Sequence, residues 1–229
     1  MPRLRQAVLA ADDLDAAVAR LREALPLGDP FHDPNVAHFG LRNAVMALGD
    51  TFVEVVSPVR GDAPARRHLD RRGDGGYMLM LQLDDLEGAR RRARERGIRE
   101  VWSVELPDVV DVHLHPRDMG AAIVALDRCD PPEGWRWGGP AWEGTAPATV
   151  AAGALTGATL RATDPDAMAA RWAAVLGRPV EDGTTIPLDL GGRLRFVEGP
   201  DDGIEAFHAA LPGRAGESVE AAGVRFELG

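Results

Sequence analysis

A lone carboxylate interrupts an otherwise apolar stretch at Phe52-Val53-Glu54-Val55-Val56. Alternation along an extended chain puts Phe52, Glu54 and Val56 on one face, and a carboxylate in apolar company is costly unless it is paired. Its pKa is then raised, which suits a ligand contact or a general base. Gln6 is a second polar residue on an apolar strand, expected beside Leu4 and Val8. In Gly75-Gly76-Tyr77-Met78-Leu79-Met80-Leu81-Gln82 the residues Met78, Met80 and Gln82 share a face. The two methionines there make an adaptable apolar wall, and Tyr77 points the other way unless a bulge re-aims it. His113 and His115 form an H-x-H pair on a predicted strand, a spacing that can chelate zinc or another transition metal. A structural role for His115 in the turn His115-Pro116-Arg117-Asp118 is the simpler account. His32 and His38 lie in a loop and at a strand start, and His208 reads as a packed or surface histidine. No Gly-rich phosphate loop, nucleophile elbow or zinc-protease helix motif is present.

The elements that must carry these residues repeat along the chain. Three segments share one grammar of short apolar strand, acidic cap, helix and glycine. The first runs Leu4–Ala10, Asp12-Asp13-Leu14-Asp15, a helix through Leu25, then Gly28. The second runs Met78–Leu83, Asp84-Asp85-Leu86-Glu87, a helix through Arg96, then Gly97. The third runs Ala158–Ala162, Asp164-Pro165-Asp166, a helix through Leu176, then Gly177. In each, an Asp accepts hydrogen bonds from the free N–H groups of the first helical turn, and the glycine supplies the left-handed turn at the end. Extended stretches follow each helix: Val36–Leu41, Ala44–Leu48 and Phe52–Val56 after the first, and Glu100–Val104, Val109–His113 and Ile123–Leu126 after the second. Thr184–Leu190 and Arg193–Val197 follow the third. A fourth copy, with strands at Ile204–Leu211 and Val224–Leu228, has almost no helix. The unit is therefore β-α-β-β-β, in an α+β chain. Residues 1–128 form one domain of two units (about 1–60 and 75–128), 129–152 a Pro/Gly/Trp-rich linker, and 153–229 a second, degenerate domain. Three of the five tryptophans, Trp135, Trp137 and Trp142, lie in that linker. Indole is too apolar to leave in water, so the segment packs back either as a lid on the first domain or as glue between domains. The second is the favoured expectation.

Composition narrows the partners. The 229 residues carry 26 Lys+Arg against 36 Asp+Glu, a formal charge of −10, which disfavours a nucleic-acid partner. The basic run Arg90–Arg96 reads as a solvated helix face. No apolar run reaches membrane-spanning length, no signal-peptide pattern opens the chain, and the lone Cys129 excludes an intrachain disulfide or a Cys-rich zinc site. The expectation is a cytoplasmic protein with no nucleic-acid or membrane partner.

Paired β-α-β-β-β units of this length resemble the vicinal oxygen chelate superfamily, which includes glyoxalase I, methylmalonyl-CoA epimerase, bleomycin- and fosfomycin-resistance proteins and extradiol dioxygenases. Two segments sharpen the resemblance. Asn43–Pro58, with its Gly49-Asp50 turn and a carboxylate on the following strand, looks like the epimerase and glyoxalase pattern. His115-Pro116-Arg117-Asp118-Met119-Gly120-Ala121-Ala122-Ile123-Val124 looks like the epimerase motif before its last strand. The resemblance implies a cup-shaped sheet and a divalent metal (Ni, Zn, Co, Mn or Fe) held by residues on the first and last strands of each unit. Carried over, those positions are Gln6 and Glu54, then Met78 and Ala125, with Gly157, Phe196 and Glu227 in the second domain. Gln6 and Glu54 are ligand types, whereas a thioether and a methyl offer a hard cation nothing, so the expected metal site is incomplete.

These residues imply a glyoxalase-like protein that binds a small organic molecule in the first domain's cup, with Glu54 as catalytic base. Gln6, Met78, Met80, Gln82 and His113 are the expected ligand-binding residues. The reaction would be of lyase or isomerase (epimerase) type, next to a carbonyl. The alternative is a metal-free binding or sequestering protein of the resistance type. An extradiol dioxygenase is less favoured, because no unit carries its two His and one Glu at matching strand positions. Pairing into a homodimer is a further implication of the resemblance.

Overall fold

A computed structural model describes residues 2–143 and 152–229. Two mixed sheets organise the chain. The first has the order β2-β3-β1-β4-β7-β6-β5, built from β1 (Arg3–Ala10), β2 (Leu41–Leu48), β3 (Thr51–Pro58), β4 (Gly75–Gln82), β5 (Glu100–Leu106), β6 (Val109–Leu114) and β7 (Ile123–Cys129). The second has the order β12-β13-β11-β8-β10-β9, built from β8 (Ala154–Ala162), β9 (Thr185–Pro187), β10 (Arg193–Glu198), β11 (Gly203–Ala210), β12 (Ser218–Ala221) and β13 (Val224–Leu228). Helices α1 (Leu14–Ala24), α2 (Pro64–Arg72), α3 (Leu86–Glu95), α4 (Pro116–Met119) and α5 (Pro165–Leu176) punctuate them.

The three expected caps form: Asp13, Asp85 and Asp164 accept from the backbone N–H of Ala16, Gly88 and Ala167. Gly97 and Gly177 adopt the left-handed conformation that ends α3 and α5. Gly28 does not; its N–H instead donates to the Ala47 carbonyl, and α1 ends at an extended Leu25. The strand expected at Val36–Leu41 is also corrected. Residues Pro34–Phe39 form a 3₁₀ turn capped by Asp33, because Pro34 fixes a helical φ and removes a ladder donor. Helix α2, which the repeat pattern does not contain, fills the gap between units.

In each sheet the strands that lead the units run antiparallel, β1 with β4 and β8 with β11, and each pair carries two bulges. In the first sheet the extra residues are Arg5 and Tyr77; in the second they are Thr156 and Glu205. They occupy matching places, so the registers superpose position by position: Gln6 on Gly157, Val8 on Thr159, Met78 on Ala206 and Met80 on His208. The parallel partners extend the match, with Glu54 beside Val8 and Arg195 beside Thr159, Ala125 beside Met80 and Glu227 beside His208. Arg195, not Phe196, is therefore the second sheet's counterpart of Glu54. Phe196 faces the helix side, buried against Trp172, since a one-residue slip reverses a strand face.

The helix-facing sides of both sheets and their helices share one core running from Leu4 to Leu228. A second cluster lies on the opposite, concave face of the first sheet and gathers Val8, Phe52, Val56, Met78, Met80, Ala125, Trp135 and Trp142, with Ala65 and Leu69 from α2. Leu4 belongs to the helix side, contrary to the expectation that it accompanies Gln6, because the bulge at Arg5 turns Arg5 as well as Gln6 toward the concave face.

Candidate functional site

Strands β1, β2 and β3 bring three polar side chains together in the concave face. The Gln6 amide Nε2 donates to one Glu54 oxygen at 2.7 Å and the Asn43 Nδ2 donates to the other at 2.7 Å. All three are buried, Glu54 at 7% exposure. Burial in this apolar wall pushes the Glu54 carboxyl up to about 7, against the pull of the two amide hydrogen bonds and of His113. Both amides are themselves fixed. Gln6 Oε1 accepts from the Trp135 indole N–H at 2.7 Å, and Asn43 Oδ1 accepts from the Asp33 backbone N–H. The sequence pointed to Glu54 and Gln6 but missed Asn43, although it stands directly across from Val56 on the neighbouring strand.

The tryptophan segment is a lid on this cup. Trp135 is fully buried and stacks on Phe52, and Trp142 meets Phe52 edge to face. The expectation that the segment glues the domains is thus corrected. Two glycines let the lid approach so closely: a Cβ on Gly138 would sit 2.4 Å from the Phe52 ring, and Gly139 takes φ +98 against Phe31. Arg5, turned inward by its bulge, holds the lid backbone through the carbonyls of Pro132 and Glu133 and lies over the Trp135 ring. Burial lowers its pKa only to about 10, so it stays charged. Gln82, an expected ligand contact, accepts from Arg5 and donates to the Pro132 carbonyl, so it anchors the lid.

A second polar group lies farther across the same face. Asp111 and Asp127 are buried cross-strand neighbours. Burial, then the nearby Asp111 charge, pushes the Asp127 carboxyl well above the usual carboxylate range, and the Trp137 indole N–H donates to it at 2.7 Å. His113 Nε2 lies 3.1 Å from Asp111 Oδ2, its ring against Trp102, which in turn touches Phe39 from the far edge of the sheet. Phe39 ends the 3₁₀ turn that leads into β2, so that turn reaches across to β5 on the opposite edge of the sheet. His115 is not beside His113. It lies beyond the end of β6 and caps α4, accepting the Arg117 N–H, which is the structural role in the turn that the sequence favoured over an H-x-H chelate. Tyr77 is re-aimed by its bulge against His68, at the edge of the concave cluster. Of the other expected contacts, Met78 and Met80 line the cup.

These donors do not fit a divalent metal. Of the four strand positions, two carry Met78 and Ala125, and the Gln6 carbonyl is already occupied by Trp135. In the second sheet the four positions are Gly157, Arg195, Ala206 and Glu227, and an arginine repels a cation. Among the described residues no group of three or more His, Cys, Asp or Glu is placed to hold one.

Tandem units of a leading strand, a helix and two or three further strands around cupped sheets, complete as β-α-β-β-β only in the second (β4, α3, β5, β6, β7), define a vicinal oxygen chelate protein. The model of the glyoxalase-like domain matches residues 7–176, and the chain belongs to that family. A 4-hydroxymandelate synthase variant from Streptomyces coelicolor is similar over 92% of this chain and 72% of its own, with 16% identity and a TM-score of 0.69. A methylmalonyl-CoA epimerase in complex with methylmalonyl-CoA and NH4+ is similar over 56% of this chain and 95% of its own (21% identity, TM-score 0.50). The epimerase from Mycobacterium tuberculosis covers 56% of this chain and 87% of its own, at 24% identity and a TM-score of 0.49. No curated protein matches the chain. Among the described residues no helix is long and apolar enough to cross a membrane.

Proposed function

We propose that this is a metal-independent glyoxalase-like protein that takes a small carbonyl compound into its first cup, where Glu54 moves a proton at the carbon beside the carbonyl. The observation that carries this reading is a buried carboxyl titrating at about 7, aimed by two immobilised amides over a floor of Val8, Met78 and Met80. A group whose pKa matches the working pH serves as acid and base with equal ease. The apolar wall keeps water from the carbanionic side. The epimerase neighbour is described in complex with methylmalonyl-CoA, a compound with such a C–H. The test is proton NMR in D2O with methylmalonyl-CoA and with dihydroxyacetone as probes. Deuterium is expected at the carbon next to the carbonyl, and Glu54→Gln is expected to slow it at least ~10²-fold. Exchange that survives Glu54→Gln would overturn the assignment.

A second reading, a sequestering protein without turnover, is favoured by one observation: both Glu54 oxygens already accept an amide N–H. It predicts saturable quenching of tryptophan emission by a bound probe, undiminished in Glu54→Gln, with no deuterium incorporated.

A further inference from the structure

The two cups occupy matching places in their sheets but have opposite character. Where the first carries Glu54, the second carries Arg195; where the first has the thioether of Met80, the second has His208. The first is covered by its tryptophan lid, whereas Arg193 and Arg195 of the second are exposed. Two rows of residues cross the second face in register. One runs Thr185, Arg195, Thr159, Ala206, Arg225, Glu220, and the other runs Pro187, Arg193, Gly157, His208, Glu227, Ser218.

We propose that this face is a binding site for a small oxoanion, a phosphate or a carboxylate, gripped by Arg193, Arg195 and Arg225 above a floor of Thr159 and His208. Burial is the first cause that lowers the pKa of His208; Glu227, 3.5 Å from its Nε2, favours its protonation, and Arg195, Arg193 and Arg225 oppose it. Arg225 is shared between Glu205 and Glu227, at 3.5 and 3.2 Å. Arg193 and Arg195 have no acidic partner among the described residues, although the protein as a whole is strongly acidic. Two unpaired guanidinium groups on alternate residues of one strand offer donors that match the oxygens of a carboxylate or phosphate. The floor is polar and fixed: Thr159 and His208 are buried, with Thr159 Oγ1 2.8 Å from His208 Nε2. There is also room. An open cavity of about 670 Å³ runs along β9 and β10 beside the two arginines; Glu181, Asp182, Thr185, Leu188 and Phe196 also line it, whereas Thr159, His208 and Arg225 do not. The mixed lining fits an anionic group on a small organic body rather than a polyanion. This face includes neither Glu54 nor the lid, so its binding stands or falls apart from the proposed activity.

The experiment is a titration of the whole protein, at fixed ionic strength, with inorganic phosphate in one arm and succinate in the other. It is followed by calorimetry and by the proton-carbon signals of the histidine rings. Saturable binding is expected, together with a shift of the His208 resonances and a rise in the pH at which His208 titrates. Arg195→Ala is expected to weaken binding roughly tenfold, and Arg193→Ala with Arg195→Ala to abolish it. Arg20→Ala, on the exposed side of α1, should bind as the parent does, and all variants should keep the parent's unfolding midpoint because the altered side chains are exposed. Preference for phosphate over succinate would assign a tetrahedral ligand, and the reverse a carboxylate. Absence of saturation in both arms, or binding that ignores the two arginines, would overturn the proposal.

Discussion

Glu54 should make the stability of this protein fall as pH rises through neutrality. Its carboxyl titrates at about 7 when folded, against 4.5 for an ordinary glutamate, and that gap corresponds to about 3 kcal/mol of differential stability. Between these two values the folded chain holds a proton that the unfolded chain gives up. Below 4.5 both states hold it and there is no penalty; above 7 both have lost it and the folded state carries the full penalty. Glu54→Gln removes the titration but introduces a constant defect, because one end of the new amide must face another donor. Gln6 cannot turn to help while its Oε1 accepts from Trp135, nor can Asn43 while its Oδ1 accepts from Asp33. That defect is about 1–3 kcal/mol at every pH. Urea unfolding of both proteins from pH 4.5 to 8.5 isolates the effect as a difference, since all other groups cancel. The parent should lead at pH 5, and the variant should draw level or pass it by pH 8. A difference that stays flat across the range would refute the claim that Glu54 is a desolvated, near-neutral carboxyl.

The other consequences are more direct. Trp135→Ala should destabilise by about 3–5 kcal/mol and open the cup to a hydrophobic dye such as ANS; unchanged stability would mean the lid is not seated on Phe52. Asp127→Asn removes a carboxyl whose folded pKa is raised, so the parent's penalty grows as pH rises above the ordinary carboxylate range and the variant should gain on the parent between urea melts at about pH 4 and about pH 8.5. Nickel or zinc added to untagged protein should leave the thermal midpoint in place, since a cation bound only to the folded state would raise it. A saturable rise of several degrees would show that other donors complete the site.

Much of the fold was legible because three Asp-capped helices follow three apolar strands at the same offset, and local hydrogen bonding alone writes that pattern. The errors fall where the local pattern is broken by something distant. The bulges at Arg5 and Tyr77 shift the alternation, which is why Leu4 was placed on the wrong face and Tyr77 depended on a bulge. At Arg195 and Phe196 spacing alone chose the wrong neighbour, because strand register is set by pairing with β8. Glu54 and Gln6 could be found because a polar residue stands out on an apolar strand. Asn43 could not, since at the edge of β2 it resembles any solvated amide until its partner is known. The lid was half legible: the tryptophans demanded burial, but only the concave face of the sheet decides what covers them.

The lid also makes the protein its own competitor. Trp135 and Trp142 hold the volume a ligand needs, and Trp135 and Trp137 each latch by an indole N–H. If opening costs about 3 kcal/mol, the cup is free in roughly 1% of molecules, and any ligand that needs it binds about a hundredfold more weakly than the bare cup would allow. Loosening a latch, as Trp137→Phe does, should therefore tighten ligand binding while lowering stability, so that affinity and fold strength move in opposite directions.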